Sequence, residues 1–312
     1  MKYSKLNFIV LFVFLFSLNN TAFAQNSKIQ AEIKKINELH KSTYAKRDSL
    51  AFLYKICYQK IESTKDTVIK NQLKVKILEF DKITDANNKK ELLNEFGFIR
   101  QHPSSSISLD ILHAKITRRE STEYLEAFTN LCKSLSPDLK SSPKGLDLME
   151  MLYNFTNSNV GKDAPQFTIK EKNNKTVNLK NYEGKNYVLL NFWVSSYQPC
   201  IADVSFLKEI NDKYKTYGLE IINISLDDDV EVWRKAIEKE KLETLTNVSS
   251  ILNNSYLEGL YFINSIPQKV LIDKNGKIVA RWRGAEKQNH EEISKELNLL
   301  LNKTSKFVSN TP

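Results

Sequence analysis

Residues 191–200 read NFWVSSYQPC, and the fold turns on them. They close the apolar run YVLLNFW, residues 187–193, which reads as a buried strand. Val194, two serines, Tyr197 and Gln198 follow, and then Pro199. Proline suits the start of a helix, where its missing N–H would find no partner anyway. The stretch is therefore the end of a buried strand entering the first turn of a helix, and the helix extends over residues 199–217.

The flanking segments support the same architecture. Upstream, APQFTIKEKNNKTVNLKNYEG makes a hairpin turning at Asn173-Asn174. Downstream, LEIINISL (219–226) is a second buried strand, and DDDVEVWRKAIEKE is a helix capped by its acidic start. QKVLIDKNGKIVARWRG is a strand pair turning at Asn275-Gly276, a strong hairpin signal. NHEEISKELNLLLNK closes the region as an amphipathic helix. Helix-linked strands followed by a hairpin and a helix predict an α/β domain, a mixed sheet flanked by helices.

Residues 25–156 have another texture. Glycine is nearly absent, and apolar residues recur at three and four: Ile29, Ile33, Ile36, Leu39, then Leu50, Leu53, Ile56, Cys57. His102-Pro103 breaks the pattern, shorter helices follow, and Ser142-Pro143 opens another. This region is expected to be all-α. The organisation read from the sequence is a leader at 1–24, a helical domain at 25–158, an α/β domain at 159–304 and a disordered tail at 305–312.

The leader has Lys2 and Lys5, an apolar run over residues 8–18, and Ala22-Phe23-Ala24 at a cleavage position. That pattern is a secretory signal. The run is short of the ~20 residues a bilayer span requires, so no membrane span is expected once the leader is removed. The mature chain is then expected in the periplasm or cell envelope. The formal charge of +9 comes from lysines mixed with acidic residues along the whole chain. Solvated helix faces account for this, and nucleic acid is not an expected partner.

FWVSSYQPC, SIPQKVLIDKNGKIV and VGKDAPQFTI together resemble the thioredoxin superfamily, and more narrowly its exported TlpA/ResA-like thiol-disulfide oxidoreductases of the redoxin and AhpC/TSA group. The resemblance covers residues 160–301. FGFIRQHPSSSISLDIL and its neighbours resemble the helical segment preceding such domains in Bacteroidetes-type envelope proteins. The resemblance implies a thioredoxin-like fold and two active-site cysteines. The first would sit at an exposed helix N-terminus, where dipole and free amides stabilise its thiolate; the second would lie one turn in. Matching Trp193 and Pro199 to the family places Tyr197 on the attacking position and Cys200 on the resolving one. A phenol with a pKa near ~10 does not replace a thiolate.

Cys200 is thus the single candidate catalytic residue, read either as a small half-buried remnant or as one working thiol. Pro267 matches the family's cis-proline, which leaves the backbone of Ile266 free to pair with an extended peptide. Gln268 and Lys269 follow it and are expected to make that groove polar and basic. Trp193, Tyr197, Ile266 and Pro267 are the candidate binding residues. Asp203, where relatives carry a glutamate, is expected at the surface or as a cap. Asp227, Asp228 and Asp229 are expected to cap a helix. Cys57 and Cys132 lie on apolar helix faces and are expected as core thiols, with a disulfide between them as the alternative. His40, His102, His113 and His290 show no ligand spacing; no metal and no cofactor are expected.

Two functions follow. One is a non-catalytic module holding protein or peptide clients near Tyr197 and Pro267. The other is a one-cysteine envelope oxidoreductase acting through Cys200, of the kind active relatives serve in disulfide reduction and cytochrome c maturation.

Overall fold

The computed structural model describes residues 4–116, 124–253 and 256–308, with side chains described over 27–116, 124–253 and 256–301. The side chains of the expected leader and residues 309–312 of the expected tail lie outside these. The chain divides into two compact units, residues 1–149 and 150–312.

In the first unit, α1 (Ser4–Ser63) and α2 (Thr67–Gln101) form an antiparallel hairpin. Its register is read from hydrogen bonds between the two helices: Asn94 Nδ2 donates to the Leu39 carbonyl, Asn87 Nδ2 to that of Thr43, and the Tyr54 hydroxyl to the Asp81 carboxylate. Asp66 caps α2, accepting from the amides of Val68 and Ile69 at 2.8 and 3.2 Å. The helix stops at His102-Pro103, as the proline requires. Next come α3 (Ser106–Lys115), α4 (Leu125–Ser134) and α5 (Pro137–Ser141). Phe96, Ile99, Leu112, Phe128 and Leu131 make the core of this unit. Cys57 and Cys132 are buried free thiols. Among the described residues no helix is long and apolar enough to cross a membrane.

Helix α6 (Pro143–Asn157) leads into the second unit. A hairpin of β1 (Thr168–Lys170) and β2 (Thr176–Asn178) comes first, turning through Asn174 at φ 66°. Then follow β3 (Tyr187–Trp193), α7 (Gln198–Tyr214), β4 (Leu219–Ser225), α8 (Val230–Glu240) and β5 (Thr246–Ser249). The chain closes with α9 (Leu257–Leu260), β6 (Gln268–Ile272), β7 (Ile278–Arg283) and α10 (Lys287–Val308). Among the described residues five strands form the central sheet, in the order β5-β4-β3-β6-β7. β3 runs parallel to β4 and antiparallel to β6. The β6–β7 turn passes through Gly276 at φ 77°, the left-handed conformation that glycine tolerates.

Side chains of β3 alternate between two apolar layers, because successive residues of a strand face opposite ways. Leu189 and Trp193 join a layer with residues of α7, α8 and α10. Leu190 and Phe192 join the other layer with the β1–β2 hairpin and α9. The helical unit and the mixed sheet with flanking helices are as the sequence predicts.

Candidate functional site

The site lies where β3 ends. Its loop is fixed by Asp227, which sits just past β4. One Asp227 oxygen accepts from the amide and hydroxyl of Ser195 at 2.9 and 2.8 Å. The other accepts from the Ser225 hydroxyl at 2.7 Å. Asp227 is buried, so the expectation that it caps a helix is corrected. Asp229 alone of the three caps α8, accepting from the amides of Glu231 and Val232. A carboxylate taking three donors satisfies the polar groups that a turning backbone leaves open.

Tyr197 is the residue from which α7 starts. Its backbone is extended, its side chain makes no cap, and its carbonyl accepts the Cys200 amide at 2.9 Å. It is 45% exposed. Cys200 lies one turn in and is 2% exposed. Burial pushes its thiol up to about 11; the Val194 backbone and the Lys269 charge act the other way, and Asp203 reinforces the rise. Trp193 is buried beneath the loop, so it supports the site and offers no surface to a client. Ile266 precedes a cis peptide bond to Pro267. Ile266 is half-buried against the layer containing Trp193 and Cys200, and Pro267 is buried. The Pro267 carbonyl is occupied by the Gly284 amide at 2.8 Å.

Two further expectations are corrected. Asp203 is neither a surface residue nor a cap: it is buried and ion-paired to Lys269. Its other oxygen lies 2.6 Å from Nε2 of His290, whose ring stacks on Phe206 at 3.9 Å between centroids. Gln268 and Lys269 are both 0% exposed and line no groove. The register puts Lys269 beside Asn191 on the face that α7 covers, with Asn223 next in the row. Asn191 donates to Asn223 at 2.7 Å, and Asn223 to Asn247 at 3.0 Å. A polar row thus crosses an otherwise apolar layer and leads to Asp203 and the half-buried His290. Isolated buried charge is very costly, so each of these groups depends on its partners. Sequence reading missed this cluster. Its signal was a lysine inside the apolar run QKVLI and an aspartate one turn past Cys200.

Residues 160–292 match the AhpC/TSA family. The thiol-disulfide oxidoreductase ResA of Bacillus cereus is 29% identical over 133 residues, 43% of this chain and 75% of that protein. ResA of Oceanobacillus iheyensis is 34% identical over 130 residues, 40% of this chain and 66% of that one. The solved thioredoxin domain of a thiol-disulfide oxidoreductase from Bacteroides vulgatus is 28% identical, with TM-score 0.40, over 45% of this chain and 99% of that domain.

Proposed function

The chain is a TlpA/ResA-like member of the thioredoxin superfamily, and we propose that it acts as an exported, non-catalytic binding module for protein or peptide clients. One observation carries the reading. Its relatives are named thiol-disulfide oxidoreductases, yet the cysteine here is buried and its thiol is pushed up to about 11. At neutral pH such a thiol is protonated, and the thiolate is the attacking species. The exposed position at the helix start belongs to Tyr197, whose phenol is no substitute. A half-exposed aromatic on a rim is a common binding anchor, and the backbone beside Ile266 supplies hydrogen-bonding groups to an extended chain. The leader over residues 1–24 supports export to the envelope.

The test has two arms. Native protein is treated with an alkylating agent near neutral pH, and the thiols are expected to stay silent until the protein is denatured. A labelled, extended, cysteine-free peptide library is then screened by anisotropy, and Tyr197→Ala is expected to weaken any binder about tenfold, the size of a modest hot spot. Rapid native alkylation of Cys200 with insulin reduction would instead establish the one-cysteine oxidoreductase. Binding that ignores Tyr197 would remove the groove from the account.

A further inference from the structure

The helical unit gathers three side chains that share no sequence motif. His40 lies on α1; Glu91 and Glu95 lie one turn apart on the same face of α2. One imidazole nitrogen and one carboxylate oxygen from each glutamate all lie within 4.8 Å of one another. His40 is 3% and Glu95 5% exposed, and Glu91 is half-buried. Burial lifts the Glu95 carboxyl above the ordinary range, against the pull of Lys115. Lys115, at the end of α3, reaches Glu95 at 2.7 Å and Glu91 at 3.4 Å. The more exposed Arg47 approaches Glu91 at 4.0 Å.

The Lys115 ammonium accounts for the carboxylates and leaves the histidine unexplained. Nδ1 of His40 is 3.0 Å from the Tyr44 hydroxyl. Nε2 is buried and has no hydrogen-bond partner. Buried side-chain polar atoms almost always have one, and an orphan points to a missing ion or water. One ring nitrogen held by a hydrogen bond, with the other left free, is how metal-binding imidazoles are oriented. An imidazole and two carboxylates make a nitrogen–oxygen donor set suited to zinc and its divalent neighbours, and unsuited to soft copper(I).

We infer that His40, Glu91 and Glu95 form a divalent transition-metal site of the zinc class, loaded by exchange for the Lys115 ammonium. Three protein ligands leave a position for water, the pattern of an open zinc site. The exchange balances charge: a dication neutralises both carboxylates, and Lys115, with 12% of its side chain already exposed, turns to solvent. Tyr44 holds the ring in place from outside the ligand set. The inference concerns the first unit and does not rest on the function proposed for the second.

Full-length protein without a histidine tag is titrated with Zn²⁺ by calorimetry and with Co²⁺ by absorption. One ion per chain is expected, with a Co²⁺ spectrum free of a sulfur charge-transfer band, which excludes binding at the cysteines. His40→Gln and Glu95→Gln should each weaken binding at least about tenfold, and Lys115→Met should tighten it. Should either ligand variant fail to fold, Glu91→Gln, at the more exposed edge, carries the same expectation. No saturable binding by the wild type and Lys115→Met, a sulfur band, or unchanged affinity in a folded ligand variant overturns the site. Unchanged or weaker binding by Lys115→Met overturns the exchange.

Discussion

Replacing Lys269 by methionine tests the buried cluster under Cys200. Lys269 is 0% and Asp203 1% exposed in their side chains, and they form an ion pair. Methionine keeps most of the stem but removes the ammonium. Asp203 would keep only the His290 contact at 2.6 Å, and the remaining carboxylate oxygen would face an apolar layer. Breaking a buried pair by removing one partner costs about 3–5 kcal/mol. The second unit spans residues 150–312, and for a domain of that size each kcal/mol moves Tm by about 2–4 °C. A fall of about 6–20 °C is expected for that unit. The assay isolates it, because Trp193, Trp233 and Trp282 are the chain's three tryptophans and all lie within it. Thermal unfolding followed by tryptophan fluorescence therefore reports on this unit. Lys269→Met combined with Asp203→Leu should recover most of the loss, since an apolar pair of similar volume is often neutral or stabilising in such a place. A fall below about 3 °C for the single variant, or a double variant no better than the single, would mean that the two charges are not mutually dependent.

Other predictions follow from the same site. Tyr197→Cys should place a thiol of depressed pKa at the start of α7. On oxidation it should close a four-residue ring with Cys200 and stabilise the domain by about 2 kcal/mol; retention of every free thiol after oxidation would refute the match to an active redox turn. The Cys200 thiol, ordinarily near 9.0, is raised to about 11. The unfolded chain therefore loses this proton first, and stability should fall as pH rises from about 9 to about 11, by about 3 kcal/mol. Cys200→Ala should remove that part of the slope in urea titrations, and an unchanged slope would show the thiol to be accessible. Asp227→Ala would strip the Ser195 amide and hydroxyl of their acceptor at a cost of about 1–3 kcal/mol. Faster hydrogen exchange at Ser195 is expected, and unchanged protection would mean the loop is held by something else.

What the sequence by itself determined was local. The strand read over residues 187–193 is β3, and the one read over 219–226 is β4 with one residue fewer. Both hairpins turn where Asn174 and Gly276 adopt positive φ, because the signals for turns, caps and apolar periodicity lie within a few residues of where they act. The loop-to-helix turn at Tyr197, and the lack of a cysteine there, were legible for the same reason. Tertiary structure decided which polar groups share a space. Asp203 and His290 are 87 residues apart in sequence yet meet at 2.6 Å. Lys269 in QKVLI shares its strand face with the buried Leu271, so the sequence marks it as a lysine in an apolar run; only the tertiary fold brings Asp203 to it. Likewise Asp227 holds Ser195 across 32 residues, and His40 meets Glu91 and Glu95 because α1 and α2 fold back on each other. Apolar periodicity encodes which face is buried; it does not encode which charges other elements bring to that face, and those meetings set the buried chemistry of both units.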